Sequence, residues 1–343
     1  MKITPIYLTV AVWGDSFIEL FLDYVLPSYL SPGGIPELTL RGYSATFWLY
    51  TRTFERSRIE EHPQYKRLAG FVRTELICID ELQDISGHQT PYETMNACHS
   101  NFMARAATAK AAMIFYSPDA FWSAESMRYT LDQVERGKRA VLMAGVRAEK
   151  EAVLHSIRSL APRILERGLS SRELVDLLVQ FPHKITRTLC WNAEQMDIGW
   201  ASHLYWPLGS AGYLGRCFHL HTFFVHPRQE ARPDVAHDFD WMDKIGLIEE
   251  EVCIVQDSDD MFALELSLAD RGVNGHLGER NWRVLVDWVI RYAATDHRIY
   301  VQRPIYFRTG SRMSWEWLRA KVVSAIVVRC LLMLTALQEW RKR

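Results

Sequence analysis

Four short polar constellations in this chain have residue types and spacings that can do chemistry. Ser117-Pro118-Asp119 closes an apolar run, Ala112-Met113-Ile114-Phe115-Tyr116. A strand that stops on a carboxylate puts that group at the edge where open α/β sheets bind ligands. There it can hold a divalent metal carrying a diphosphate, or hydrogen-bond a ribose; Asp in this place also serves turns and helix caps. The second constellation is Arg216-Cys217-Phe218-His219-Leu220-His221. In an extended segment His219 and His221 share one face, and two imidazoles there can bind a metal or a phosphate, or exchange protons. The ordinary alternative is a pair of core histidines. The third, His237-Asp238-Phe239-Asp240, sets Asp238 and Asp240 at the same spacing. It suits a metal, a base tuned by its neighbour's charge, or a solvated turn. The fourth is Asp257-Ser258-Asp259-Asp260 after the strand-like Val252–Gln256. Its D-x-D offers hard oxygen donors for Mg²⁺ or Mn²⁺, though the same acids can cap a helix over residues 261–266.

The elements that must position these groups follow from periodicity. Tyr7–Trp13, Ala45–Thr51, Glu75–Asp80, Ala112–Tyr116 and Arg139–Gly145 are apolar runs of strand length. Between them Phe17, Leu20, Phe21, Tyr24 and Val25 recur at helical spacing, as do Met95, Cys98, Phe102, Ala106 and Ala109. Pro32–Pro36 reads as a loop, and Ser123 as the N-cap of a helix stopped by Gly137. Strands separated by helices predict an α/β fold: a mainly parallel central sheet with helices on both faces, plus a mixed and helical C-terminal region. Gly14-Asp15, Asp80-Glu81 and Ser117–Asp119 then fall on one rim. Further helices are expected through Leu174–Phe181, around Trp282–Ala293 and over the last 30 residues. Composition and texture divide the chain at 1–150, 151–270 and 271–343.

Charge narrows the partners. A net charge of −1 in 343 residues gives no reason to expect nucleic acid. The 12 Trp, 14 Tyr and 15 Phe fill cores and also line sugar or base pockets. The six cysteines are widely spaced without C-x-x-C, which predicts reduced, buried thiols, and the N-terminus has no signal-peptide pattern. A cytoplasmic protein is expected. Val322–Leu337 is apolar but interrupted by Arg329 and shorter than the ~20 residues of a span. It predicts a buried terminal helix, or one that makes a peripheral membrane contact through Trp340-Arg341-Lys342-Arg343. The chain lacks the P-loop, G-x-G-x-x-G, G-x-S-x-G and H-E-x-x-H patterns.

The first 150 residues resemble the nucleotide-sugar glycosyltransferases of the GT-A fold. The likeness lies in Thr9-Val10-Ala11-Val12-Trp13-Gly14, the strand ending at Asp80, Asn96–Ala109, Phe115–Ser123 and Gly137–Val141. The resemblance covers less than half of the chain. It implies a nucleotide held at Val12, Trp13, Gly14 and Asp80, and a metal with the sugar diphosphate at Ser117 and Asp119. The family's D-x-D is reduced here to one carboxylate. A Mn²⁺ or Mg²⁺ ion would therefore need His219 or His221 beside Asp119, or a later Asp, because a C-terminal His often supplies a ligand in that family.

On this resemblance residues 1–150 are the nucleotide-sugar-binding half and 151–270 complete the acceptor side. The reaction is transfer of a sugar to an unidentified glycan, lipid-linked or protein acceptor. Inversion would use Asp238, Asp240 or Asp257 as base; retention needs no dedicated base. Two rivals remain: a metal-dependent hydrolase or phosphodiesterase built on His219, His221, Asp238, Asp257 and Asp259, and a non-catalytic sugar-nucleotide-binding scaffold.

Overall fold

Strands that are apolar at every position can only be covered on both faces, and the centre of this fold is made of such strands. A computed structural model describes residues 5–82, 90–158, 161–229, 244–273, 275–310 and 314–342. Among the described residues seven strands form one sheet: β1 Ile6–Ala11, β2 Ala45–Thr51, β3 Arg73–Cys78, β4 Ala112–Phe115, β5 Ala140–Met143, β6 His221–Val225 and β7 Val252–Ile254. Their order is β7-β5-β6-β4-β1-β2-β3. β3, β2, β1 and β4 are mutually parallel neighbours, with Leu8 flanked by Phe47 and Ile114. Their carboxyl ends therefore share one edge. β6 runs antiparallel to β4, Phe224 opposite Ile114. Every residue of β4 and β5 is buried.

The chain packs as two compact units. The first comprises Met1–Leu142, Ser159–Ser170 and Thr222–Cys253; the second comprises Met143–Arg158, Ser171–His221 and Ile254–Arg343. In the first, helix Pro91–Ala109 starts with a reciprocal Thr90/Glu93 capping box and sets His99 and Phe102 edge-on to Phe115. The segment from Asp15 to Tyr29 is helical throughout, but Phe21–Val25 is a π turn. Pro27 has no N–H for the carbonyl four residues earlier, and the helix widens just before it. In the second unit His203–Pro207, Gly212–Cys217 and Ile305–Arg308 form an antiparallel sheet. Trp206, Leu214, Trp288, Val289, Trp317 and Leu331 share its core.

Three expectations change. The run 139–145 is shortened: β5 ends at Met143, and a further strand, Val146–Glu149, follows it and pairs in parallel with Ala263–Ser267. Residues 263–267 are thus strand, not helix, because pairing buries Leu264 and Leu266 on alternate positions. The terminal helix runs from Trp315 to Lys342, 28 residues, with Arg329 inside it. By length and composition it could cross a membrane. All six cysteines are free.

Gly33 and Gly137 both hold left-handed φ, +82° and +89°, but a Cβ on Gly33 would strike the Ala124 carbonyl while one on Gly137 meets open space. Gly137→Ala should therefore cost about 1–2 kcal/mol in urea unfolding from backbone strain alone. Gly33→Ala should cost clearly more; equal losses would contradict the packing of the 31–36 loop.

Candidate functional site

The shared edge of the four parallel strands is built from loops that brace one another. After β1, Val12 is buried and donates its N–H to the Tyr50 carbonyl at 2.9 Å. Trp13 is half-buried, and Gly14 is exposed at φ +83°. The Gly14 N–H donates to Glu55 Oε1 at 2.6 Å. Glu55 is buried and its other oxygen accepts from the Thr51 hydroxyl (3.1 Å) and the Arg52 N–H (3.3 Å). One carboxylate thus ties the ends of β1 and β2.

β3 ends at Cys78, two residues earlier than its apolar pattern suggests. Asp80 lies in the following 3₁₀ turn, exposed, and accepts from Arg52 Nη1 (2.6 Å) and the Thr53 N–H (2.9 Å). Burial opposes its ionisation, yet these donors outweigh it and hold the Asp80 carboxyl below its ordinary value. The same contacts fix the turn Thr53–Glu55, on which Phe54 stands 80% exposed.

At the end of β4 the buried Tyr116 leads into half-exposed Ser117, Pro118 and Asp119. The Ser117 hydroxyl donates to Asp119 Oδ1. The turn hangs on Tyr29, whose hydroxyl is shared between the carbonyls of Ser117 (2.5 Å) and Ala120 (3.0 Å). Tyr29 stacks on Tyr116 at 4.1 Å between centroids. Burial, reinforced by Tyr116 and Asp119, keeps its proton well above the tyrosine range, so it serves as a donor. Ser123, expected as a cap, hydrogen-bonds Ser126 instead, and helix Ser126–Glu135 begins after Glu125. Tyr29, Glu55 and Phe54 escaped the sequence reading. Tyr29 lies beyond the periodic stripe that ends at Val25, and no local pattern marks Glu55 as a buried acid.

The second unit holds the Arg216–His221 and Asp257–Asp260 constellations. His219 sits in a bend between two strands, so no strand face is shared with His221, which opens β6 half-buried. The His219 ring packs on Trp200, Trp288 and His297, with Nε2 3.3 Å from the Tyr292 carbonyl. The Arg216 guanidinium is buried against Ser324 Oγ and the carbonyls of Gln302 and Lys321. Asp257 gives both oxygens to Arg308 (3.1 and 2.6 Å), and Asp259 is bound by Arg308 (2.9 Å) and twice by Arg172 (3.0 Å each). The D-x-D is thus paired with two guanidiniums, whose charge opposes a metal ion at the same oxygens. Asp238 and Asp240 lie outside the described residues.

Ser117–Asp119 supplies one carboxylate, one oxygen of which already accepts from Ser117. Among the described residues no group of three or more His, Cys, Asp or Glu side chains could hold a metal ion. This donor set does not fit a divalent metal.

No family model matches the chain, and no curated protein matches it. Solved structures with a partial likeness include 4-diphosphocytidyl-2C-methyl-D-erythritol synthase from Anaerococcus prevotii, 11% identical with TM-score 0.26, covering 43% of this chain and 56% of that one. Mouse xyloside xylosyltransferase 1 is 8% identical with TM-score 0.27, covering 46% and 59%. An active-site mutant of LgtC is 9% identical with TM-score 0.24, covering 73% and 72%. The chain spans less than two thirds of the length of the first two.

Replacing Tyr29 by Phe keeps the packing and removes the only side-chain donor described on the Ser117 and Ala120 carbonyls. Unfolding in urea should show a loss of about 1–3 kcal/mol, and an unchanged midpoint would count against the bracing role.

A second expectation concerns His203, whose Nδ1 lies 2.8 Å from the Ser202 hydroxyl. Burial, with His219 and Arg147 nearby, pushes its pKa down to about 3. The unfolded histidine takes its proton near pH ~6.5, so between these values the unfolded state binds more protons. Stability is then intact above the unfolded pKa and lost as pH falls toward the folded one, with this site contributing up to about 1.4 kcal/mol per pH unit. His203→Gln should flatten that slope; identical slopes would contradict it.

Proposed function

We propose that the carboxyl edge of β3-β2-β1-β4 binds a nucleotide-activated sugar and that the protein is a glycosyltransferase. The observation that carries this reading is the alignment along one edge of Phe54 and Asp80, Val12–Gly14, and Asp119. Three strand intervals separate β3 from β4, about 14 Å at ~4.8 Å each, which suits an elongated ligand better than a lone phosphate. Phe54 offers a flat face for a nucleobase, and Asp80 orients it by fixing Arg52 and Thr53. Gly14 lets the backbone approach the ligand without a side chain. An ionised Asp119 without a metal repels a diphosphate and is better matched to neutral sugar hydroxyls, from which it can accept hydrogen bonds.

In the reaction the bond from the sugar's anomeric carbon to the phosphate oxygen breaks, its electrons leaving with the nucleoside diphosphate. The acceptor oxygen bonds to that carbon and gives up its proton. Inversion requires a base for that proton. Asp257 is committed to Arg308, which leaves Asp238 and Asp240 as candidates. The acceptor is a hydroxyl of a glycan, a lipid-linked saccharide or a protein. Six free thiols are in keeping with a reducing, cytoplasmic compartment.

Titration calorimetry with UDP, GDP and CMP, with and without Mn²⁺, tests the reading. One nucleotide should bind, and Phe54→Ala should weaken it by about 5- to 100-fold, the usual worth of a base–aromatic stack. Asp119→Asn should abolish most sugar transfer while the nucleotide still binds. Absence of binding to all three nucleotides would sink the proposal, and turnover untouched in Asp119→Asn would remove Asp119 from the site.

A further inference from the structure

The terminal helix Trp315–Lys342 has two unlike faces. Trp317, Ala320, Ser324, Val327, Leu331 and Thr335 are buried and pack with helix Trp282–Tyr292 and strand Gly212–Cys217. Fixed polar contacts hold this face along its length. Arg216 reaches Ser324, Arg298 clamps Glu339 with two hydrogen bonds (3.1 and 2.8 Å), and Gln338 donates to Asp287. A helix bound in this way lies along its own unit and is not a free spanning segment.

The opposite face is apolar and open. At about 100° per residue, Trp315, Leu318, Val322, Ile326, Met333 and Trp340 fall within an arc of roughly 100° centred opposite the buried residues. Ile326 and Met333 are 57% and 58% exposed, and the end tryptophans 71% and 74%. The helix is about 42 Å long at 1.5 Å per residue, so the stripe is far larger than scattered surface apolar residues. Exposed cations accompany it, Arg319, Lys321 and Arg341 to either side and Arg329 within the arc, against one exposed acid of the helix, Glu316. An apolar stripe bounded by cations, with an indole at each end, matches the interface of an anionic bilayer, where tryptophan favours the headgroup level and cations are attracted to the surface. A second copy packed on the same stripe would bring a second row of the same cations alongside the first.

We propose that this helix docks the protein flat on an anionic membrane surface, its outer stripe entering the headgroup–acyl boundary. The proposal is independent of the transferase reading. The test is flotation of the full chain with vesicles of phosphatidylcholine alone or mixed with phosphatidylserine. Binding to the mixed vesicles, weakened by salt, is expected. Arg319→Glu with Arg329→Glu should weaken it by about 30-fold or more, given the attraction of each cation. Ile326→Glu with Met333→Glu, both at exposed positions, should abolish it while nucleotide binding and the urea midpoint stay as they were. Failure to float with the mixed vesicles, or binding indifferent to both variants, overturns the proposal. So does a dimer in solution that Ile326→Glu dissociates, since the stripe would then belong to a second copy.

Discussion

The hydroxyl of Tyr29 is the contact on which the candidate site depends. Ser117, Pro118 and Asp119 sit on a turn that leaves a fully buried strand, and such a turn has backbone carbonyls with no sheet partner. Tyr29 answers two of them from a separate segment, and its ring stacks on Tyr116 at the strand's end. The residue reaches that place because the helical path from Asp15 widens into a π turn and ends at position 29. The loop that follows keeps the register: the Ile35 N–H bonds the Tyr29 carbonyl at 2.7 Å. Asp119 is thus positioned from the first strand-to-helix connection as well as from its own strand. Glu55 plays the corresponding part across β1 and β2, and Asp80 with Arg52 across β2 and β3. The rim is a chain of braces, each joining neighbouring strand ends.

The acidic and histidine clusters of the second unit behave differently. Asp257, Asp259, Arg172 and Arg308 close on one another, so their charges offset locally. Such a network holds segments in register; at partial exposure its contribution to stability is modest. His219 and Arg216 are likewise committed, the first to an aromatic cage and the second to backbone carbonyls. Residue types that can do chemistry are here engaged in structure. The groups at the parallel edge include an exposed aromatic ring, an exposed glycine and a half-exposed carboxylate.

Much of the first unit was legible in the sequence. β2 matches its apolar run residue for residue. β4 and β5 lie inside theirs, β1 and β3 overlap theirs but begin one and two residues earlier, and the helix with Cys98, Phe102 and Ala106 on its buried face is where the spacing put it. These features rest on local patterns of burial. The pieces that were not legible are decided by contacts distant in sequence. Residues 263–267 have no strong preference and become strand because Val146–Glu149 offers an edge. The run 139–145 yields a shorter strand because the chain leaves the sheet at Ala144-Gly145 to enter Val146–Glu149 of another sheet, with Gly145 making room for the Glu265 side chain. The D-x-D looks like a metal site until Arg308, about fifty positions later, returns to occupy it. Tyr29 and Ser117 are likewise 88 positions apart, and no periodicity links them.

The central claim is that the edge formed by β3, β2, β1 and β4 is where a nucleotide-sugar binds. Hydrogen exchange read by mass spectrometry, with and without the nucleotide, tests this most directly. The account predicts slowed exchange in the segments 12–14, 52–55, 79–82 and 116–120, and little change around 257–260. Protection confined to 257–260 or to the His219 region, with the four strand ends unchanged, would contradict it.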